Sequence, residues 1–262
     1  MSYLNGQLGF REDILQNRSV IVKDNYAILE PDGLVKNVIH GFENCDITIL
    51  ASPLLGASFC DYLISINEGG KNLKGFGGNG VETFLYIHEG EIVVYTSEGE
   101  KTLTSGGYVF TPEDEVLKFE NKSSKNAKGF LYKRRYQHLE GHKAHLVIGN
   151  VNELEYSNYE DMDNVKTTTL LPADDLGFDM NFHILSFKPG ASHGYIETHF
   201  QEHGALILTG KGMYNLDNEW FPVQKGDYLF MGSYCPQAAY AVGKDEEFSY
   251  IYSKDCNRDP EI

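Results

Sequence analysis

An internal repeat at a constant offset of 120 residues constrains this chain more than any other feature of its sequence. The repeat relates 61–136 to 181–256 without a gap, and identical residues recur at the pairs Ile64 and Ile184, Gly90 and Gly210, Tyr108 and Tyr228, and Tyr132 and Tyr252. Solenoid units are about 20–50 residues long, so a repeat of this length indicates two copies of a whole domain. We therefore expect an N-terminal domain at 1–140 and a C-terminal domain at 141–262.

Both copies alternate apolar and polar residues in the way that is typical of β-strands. The segments ETFLYIHEGEIVVYT (82–96) and GALILTGKGMYNL (204–216) predict hairpins with glycine at the turns. The segments GGYVFTPEDEVLKF (106–119) and KGDYLFMGSYCPQAAY (225–240) each predict two strands joined by a turn. Helical patterns are confined to the short pieces 11–16 and 152–156. The chain is thus expected to be all-β, with two sandwiches or jelly-roll barrels in tandem.

The net charge of −16 restricts the partners of this chain. An acidic surface repels phosphate backbones and anionic lipids, so neither nucleic acid nor a membrane is an expected partner. No apolar run approaches 18 residues, and the first residues have no signal-peptide pattern. The four cysteines show no CxxC spacing and predict no disulfide framework. We expect a cytoplasmic protein that binds a small molecule.

Two familiar motifs occur in the sequence, and both are weakened by their context. Gly75, Gly77 and Gly80 satisfy the G-x-G-x-x-G pattern, but the strand-like VETFLYI follows where a dinucleotide site requires a helix. Residues 199–203, HFQEH, match an inverted zinc-protease pattern that also requires a helix. The glycines that follow, and the strand-like counterpart of this segment in the first copy, argue against a helix there.

Glu197, His199 and His203 form the most informative constellation of the sequence. They share parity, so a single strand would project all three from one face. A carboxylate and two imidazoles that converge inside a barrel predict a divalent-metal site of the facial-triad type. At the 120-residue offset the first copy has Gly77, Asn79 and Thr83, which cannot coordinate a metal in the same way. The sequence therefore predicts a metal site in the second copy alone.

These residues resemble the cupin superfamily, and the repeat makes the chain similar to a bicupin, which has two tandem cupin barrels. A cupin motif usually reads His-x-His, three or four residues, Glu, six residues and Gly. Here Glu197, His199, His203 and Gly210 stand at comparable spacings. The second cupin motif usually supplies another histidine, and the corresponding strand of this chain offers Gln237.

The chain more closely resembles the (S)-ureidoglycine aminohydrolase family of manganese bicupins. The resemblance covers nearly the whole chain and is carried by GFREDILQNR, DGLVKN, GFGGNGVETFLY, GASHGYIETH, QEHGA, YNLDNEW and YIYSKDCNRD. It implies one Mn²⁺ per chain, bound in the C-terminal cupin by Glu197, His199, His203 and Gln237. It also implies substrate contacts by Glu197, Gln237, Tyr250 and Lys254, with Glu197 and Lys254 as the catalytic residues.

The resemblance also implies the reaction. The family substrate carries a carboxylate, an amine and a ureido group on one carbon, and water replaces the amine to give (S)-ureidoglycolate and ammonia in purine (allantoin) degradation. Two other functions remain open at this point: an iron-dependent cupin dioxygenase, and a non-enzymatic bicupin that binds a small molecule. Cupins often assemble through exposed sheet edges, so a homo-oligomer is also expected.

Overall fold

The structure, a computed structural model, describes residues 18–31, 35–254 and 258. The strands in chain order are β1 (Val20–Val22), β2 (Tyr26–Leu29), β3 (Glu43–Ala51), β4 (Phe59–Gly77), β5 (Val81–Glu89), β6 (Ile92–Thr96), β7 (Gly99–Leu103), β8 (Gly107–Thr111), β9 (Val116–Glu120), β10 (Ala127–Arg135), β11 (Val147–Asn150), β12 (Ser157–Tyr159), β13 (Met162–Thr169), β14 (Asn181–Phe187), β15 (His203–Thr209), β16 (Lys211–Leu216), β17 (Glu219–Gln224), β18 (Tyr228–Met231), β19 (Gln237–Val242) and β20 (Phe248–Lys254). These residues contain no α-helix, and the all-β prediction is confirmed.

The first compact unit comprises residues 35–53 and 58–154. Its nine strands form one sheet in the order β11-β8-β5-β10-β4-β9-β6-β7, with β3 paired to β4. The first part of the long strand β4 pairs with β10, and its last part pairs with β9. The apolar core gathers side chains from strands along this whole order, including Ile64, Leu85, Val94 and Phe119.

The second compact unit contains the described residues 18–31, 54–57, 155–254 and 258. Eight of its strands form a sheet in the order β1-β2-β18-β15-β20-β14-β13-β12, and a smaller sheet has the order β17-β16-β19. Its apolar core takes Leu185, Ile207 and Leu229 from the larger sheet and Leu216 and Ala239 from the smaller one. The core of this unit therefore lies between two sheets, as in a jelly-roll barrel.

The sequence repeat corresponds to a structural repeat. Strands β5, β8 and β10 match β15, β18 and β20 at the 120-residue offset, to within about two residues at each end. In both units the middle strand has the same neighbours, because β5 pairs with β8 and β10, and β15 pairs with β18 and β20. The strand that follows GFGGNG is β5, so the G-x-G-x-x-G pattern does not open a helix.

The two hairpins predicted at 82–96 and 204–216 are wrong in their pairing, although their strands are present. Strand β5 does not pair with β6, and β15 and β16 belong to different sheets. At Gly90 and Gly210, with φ of 82° and 67°, the chain turns from one strand into a second strand that does not pair with the first. A Cβ at Gly210 would lie 2.4 Å from the carbonyl oxygen of Glu247, so only glycine fits this corner. The hairpins are instead β6–β7 and β16–β17.

The compact units are not contiguous segments of chain, unlike the predicted domains 1–140 and 141–262. Strand β11, beyond residue 140, pairs with β8 of the first unit. Strand β2, near the start of the chain, pairs with β18 of the second unit. Arg18 reinforces this second placement, because its guanidinium forms two hydrogen bonds, of 2.7 and 3.0 Å, with the buried carboxylate of Asp227.

The two helical patterns have different outcomes. The segment 11–16 lies outside the described residues. At 152–156 the structure has a single 3-10 turn, Val151–Glu153, whose preceding residue Asn150 accepts a hydrogen bond from the backbone N–H of Asn152. In the part of the chain that the structure describes, there is no helix of the length and apolar character needed to span a membrane.

Candidate functional site

A polar cavity of about 60 Å³ lies within the second unit. It is lined by Tyr159, Leu185, His193, Glu197, His199, His203, Tyr214, Gln237, Tyr250, Tyr252 and Lys254. This set includes every predicted metal, substrate and catalytic residue. Strands β12, β14, β15, β16, β19 and β20 contribute to the lining, together with the segment 188–202 that connects β14 to β15.

The strand that was expected to carry all three of Glu197, His199 and His203 is not present. Strand β15 begins only at His203, whereas Glu197 makes an isolated bridge with Gln237 and His199 lies in irregular structure. The prediction that a single strand projects all three side chains from one face is therefore wrong. Backbone hydrogen bonds position the segment before β15 instead. In one of them the carbonyl oxygen of His199 accepts from the N–H of Tyr234 at 2.8 Å.

The two histidines present their Nε2 atoms to a common point. The Nδ1 atom of His203 lies 2.8 Å from the carbonyl oxygen of Ser253, and that of His199 lies 3.1 Å from the carbonyl oxygen of Gln201. A carbonyl only accepts, so both Nδ1 atoms carry the proton and both Nε2 atoms are unprotonated acceptors. The Nε2 atoms are 3.3 Å apart. Metal-binding histidines are typically oriented in this way by their second ring nitrogen.

The side chain of Gln237 completes this convergence. It is 3% exposed, and its carboxamide nitrogen lies 3.0 Å from Nε2 of His199. Two ligands at about 2.1 Å from one ion, at right angles, lie about 3.0 Å from each other. The two distances at Nε2 of His199 fit that spacing. A rotation of the carboxamide by half a turn would present its oxygen, a suitable ligand for a hard divalent ion.

The carboxylate of Glu197 lies in the same cavity but is hydrogen-bonded to the hydroxyl of Tyr159. Burial raises the pKa of Glu197, and the nearby ammonium of Lys254 opposes this shift. Among the described residues, no three His, Cys, Asp or Glu side chains are grouped closely enough to hold a metal ion. The converging atoms are thus those of His199, His203 and Gln237, while Glu197 stands at the cavity wall.

Lys254 and Tyr250 approach the cavity from β20. Burial lowers the pKa of His199, and the charge of Lys254 lowers it further, so the imidazole is in its neutral, ligating form. Tyr250 is 3% exposed, and its hydroxyl shares a hydrogen bond with that of Tyr214. Burial raises the pKa of Tyr250, which is therefore a neutral phenol. The cavity offers one cation, one carboxylate, several hydroxyls and three neutral imidazoles.

Four polar residues of this cavity were not predicted from the sequence: Tyr159, His193, Tyr214 and Tyr252. Tyr252 could have been found, because it shares parity with Tyr250 and Lys254 on β20. Tyr214 shares parity with Leu216 on β16, and both side chains belong to the apolar core. His193 lies in a connection without periodicity and gave no signal in the sequence.

The first unit has different chemistry at the matching positions. Thr83, which corresponds to His203, is buried, and its hydroxyl is hydrogen-bonded to that of Thr111 at 2.5 Å. Leu117, which corresponds to Gln237, is fully buried in the apolar core. A closed hydroxyl pair and an apolar side chain thus stand where the second unit has His203 and Gln237.

Comparisons with known proteins place this chain in a family. No family model matches the chain. The (S)-ureidoglycine aminohydrolase of Escherichia coli (strain K12) is 58% identical over 262 residues, which cover 100% of both chains. The chain belongs to the (S)-ureidoglycine aminohydrolase family. The Arabidopsis thaliana (S)-ureidoglycine aminohydrolase is 30% identical over 93% of this chain and 79% of its own length. The predicted family relation is confirmed, and the chain is an enzyme of the hydrolase class.

Solved structures support the same assignment of fold. The crystal structure of protein Ylba from E. coli is 55% identical, has a TM-score of 0.86, and is matched over 97% of this chain and 100% of its own. A cupin 2 conserved barrel domain protein from Leptotrichia buccalis, 16% identical, has a TM-score of 0.58 and is covered to 91%, against 83% of this chain. At 16% identity, the similarity to the Leptotrichia buccalis protein shows the fold alone. The cupin fold implied by the resemblance is confirmed.

Proposed function

We propose that this member of the family hydrolyses (S)-ureidoglycine to (S)-ureidoglycolate and ammonia in the cavity of the second unit. The observation that carries the proposal is the convergence of the Nε2 atoms of His199 and His203 with the carboxamide of Gln237. This cluster shares a cavity with a cation, Lys254, and a carboxylate, Glu197. The reaction belongs to the degradation of purines through allantoin.

We further propose that one Mn²⁺ per chain is held by His199, His203, Gln237 and Glu197. Carboxylate and amide oxygens favour a hard ion of this kind, although affinity order alone would favour Zn²⁺ or Cu²⁺. A bound divalent ion supplies a Lewis acid that anchors a chelating, anionic substrate. For Glu197 to join the set, its carboxylate must exchange the hydroxyl of Tyr159 for the ion.

Lys254 is proposed to bind the carboxylate of the substrate. With a net charge of −16 the chain has no long-range attraction for an anion, so a local cation must provide it. The ammonium of Lys254 lies in the cavity close enough to Glu197 and His199 to oppose protonation of both. The buried hydroxyl pair of Tyr214 and Tyr250 offers further hydrogen bonds to the substrate.

Glu197 is proposed to move the proton in the reaction. Water adds to the central carbon, the carbon–oxygen bond forms, and the carbon–nitrogen bond to the amine breaks. Glu197 accepts a proton from the water and returns one to the leaving amine, so ammonia departs and the carboxylate is regenerated. A carboxylate in the cavity wall can accept and return a proton in this way. A carbon with amine and ureido groups loses ammonia readily, so positioning supplies much of the catalysis.

The two alternatives that the sequence left open are disfavoured. A dioxygenase requires a redox-active iron, and a carboxamide from Gln237 as fourth ligand does not suit that chemistry. A purely binding role does not account for membership in a family of hydrolases. We also propose that the protein is cytoplasmic, because its cysteines predict no disulfide framework, and that its acidic charge disfavours nucleic acid and membranes as partners. Because cupins often assemble through exposed sheet edges, we further propose a homo-oligomer.

The stereochemistry of the product tests this proposal. Free ureidoglycine loses ammonia through a planar imine, to which water can add from either face. A site that anchors the substrate leaves one face open, so the product should be (S)-ureidoglycolate in large excess. Chiral analysis of freshly generated substrate, turned over by untreated and by chelator-treated protein, measures the excess. Racemic product at the spontaneous rate with the untreated protein would show that the proposed reaction is wrong.

A further inference from the structure

His193 stands in the wall between two cavities of the second unit. It lines the polar cavity that contains Glu197 and Lys254, and it also borders a more open, largely apolar cavity of about 410 Å³. Nothing in the sequence pointed to this residue. Its position gives a side chain of the irregular segment 188–202 direct access to any molecule bound between Glu197 and Lys254.

The orientation of the His193 ring is fixed on several sides. The backbone N–H of Ala239 donates to its Nδ1 atom at 2.7 Å, and its own backbone N–H donates to the carbonyl oxygen of Ala239 at 3.0 Å. The ring packs against Phe187 and Tyr159 in T-shaped contacts, with centroid distances of 5.0 and 5.7 Å. One hydrogen bond to the ring and two aromatic contacts therefore hold one rotamer, and the main-chain hydrogen bond fixes the backbone that carries it.

These contacts also fix the tautomer. Because Nδ1 accepts a hydrogen bond from an N–H, it carries no proton, and the proton of the neutral ring is on Nε2. Burial lowers the pKa of His193 to about 4, so the ring is neutral near pH 7. None of the residues in the described ranges accepts a hydrogen bond from this Nε2–H. The cavity wall thus contains a rigid, uncharged donor whose hydrogen is available to a ligand.

The charge of each group in the cavity suggests which part of the substrate His193 serves. The ammonium of Lys254 suits the substrate carboxylate, and the carboxylate of Glu197 suits the amine. The ureido carbonyl is the remaining acceptor, and it is neutral. A neutral N–H donor matches a neutral carbonyl, since neither partner brings a charge that must be desolvated.

We propose that His193 is a specificity-determining residue, whose Nε2–H donates a hydrogen bond to the ureido carbonyl oxygen of the substrate. This inference rests on the proposed function, because it assumes a ligand with a ureido group. A donor that is already oriented discriminates strongly, since a ligand without the carbonyl would leave the N–H unpaired on binding.

Two substitutions separate the ligand contact from the structural contact. In His193→Asn the Oδ1 atom can replace Nδ1 as acceptor for the N–H of Ala239, but the Nε2–H donor is lost. In His193→Gln the side-chain amide can replace the Nε2–H donor, but the acceptor for Ala239 is lost. A residue with a purely structural role would tolerate the first change better than the second. A ligand-binding residue would show the reverse order in affinity.

The experiment measures binding of a stable ligand pair by calorimetry, with the metal content of each variant recorded. (S)-Ureidoglycolate carries the ureido group, and glycolate lacks it. We expect His193→Asn to weaken binding of (S)-ureidoglycolate by about 2- to 13-fold, the value of one neutral hydrogen bond, and to leave glycolate unchanged. His193→Gln should retain most of the preference. In turnover, the loss in the Asn variant should fall mainly on KM.

Equal weakening of both ligands, or no change in either, would overturn the assignment of His193. A preference lost in the Gln variant but kept in the Asn variant would overturn it as well. The binding ratio does not depend on turnover. A wild-type chain that binds (S)-ureidoglycolate in preference to glycolate but releases no ammonia from ureidoglycine would therefore refute the proposed function, and it would support the contact with His193.

Discussion

Glu197 and Gln237 are joined backbone to backbone, because the N–H of each donates to the carbonyl oxygen of the other at 2.9 Å. This isolated antiparallel bridge ties the irregular segment before β15 to the first residue of β19. The hydrogen bond from Tyr234 to the carbonyl oxygen of His199 adds a second tie between the same two segments. The proposed ligands are therefore positioned by main-chain contacts, which changes to their side chains leave in place.

Replacement of a central imidazole tests the metal site. We expect the wild-type chain to carry about one equivalent of metal, mostly manganese, and His199→Ala to carry almost none, because Nε2 of His199 is close to both other converging ligands. Elemental analysis of protein purified without chelator measures this directly. His138→Ala is the control, since that side chain is 75% exposed in the first unit. Two equivalents per chain, or full metal in the His199 variant, would contradict the prediction.

Replacement of the cavity cation tests substrate binding. Lys254→Ala should lower kcat/KM by about 10- to 150-fold, which is the loss of one charge-assisted contact, and should leave the metal content unchanged. Steady-state ammonia release, measured beside elemental analysis, separates the two effects. Lys244→Ala removes an exposed lysine and the same charge, and it should not change the kinetics. Unchanged kinetics in the Lys254 variant would exclude it from the site.

A matched pair of glycines tests the corner between β15 and β16. Gly210 and Gly190 both have positive φ, 67° and 81°, but an added Cβ would meet the carbonyl oxygen of Glu247 only at Gly210. Gly190→Ala should cost about 1 kcal/mol of unfolding free energy through backbone strain. Gly210→Ala should cost about 1–3 kcal/mol more through the clash. Urea denaturation of both variants measures the difference, and equal midpoints would show that the corner relaxes freely.

His193 should make stability depend on pH. Its pKa is about 4 in the folded chain and 6.5 in the reference state, so between these values the unfolded chain binds more protons. The free energy of unfolding should therefore rise with pH across this window and fall on acidification, by at most about 1.4 kcal/mol per pH unit from this residue. The advantage of wild type over His193→Asn should shrink from pH 7 to pH 4 in metal-free protein.

Gly190→Ala, which removes no titratable group, gives the comparison for this pH effect. It should show the same pH dependence as the wild type in denaturant titrations at each pH. A constant difference between wild type and His193→Asn across the window would mean that the ring is not held neutral by burial.

Alternation along the chain was enough to predict the strands but not their partners. The run 81–87 is rich in β-branched and aromatic residues, which predicts strand β5, and the repeat extended that prediction to the second unit. Pairing was lost at Gly90 and Gly210, because a glycine that turns a hairpin and one that turns a barrel corner look alike in sequence. Which of the two occurs depends on long-range packing, and a local pattern contains no information about it.

The candidate site was likewise predictable in its residue types but not in the contacts that position them. The residue types at 197, 199 and 203 pointed to a shared site, and the structure brings these residues to one cavity. The reason was different from the expected one, since the bridge to Gln237 and not strand parity positions Glu197. His193 was missed because its role comes from a contact with Ala239, a residue distant in sequence and without polar side-chain chemistry.

The placement of β2 has a consequence for how this protein is made. Residues Tyr26–Leu29 leave the ribosome roughly 200 residues before their partner strand, Tyr228–Met231, exists. At about 5–20 residues per second, the wait lasts on the order of 10–40 seconds. During that time Tyr26 and Ile28, buried in the finished core, belong to a strand whose edge has nothing to pair with. Chaperones and neighbouring nascent chains therefore have access to this segment before its partner strand has been synthesised.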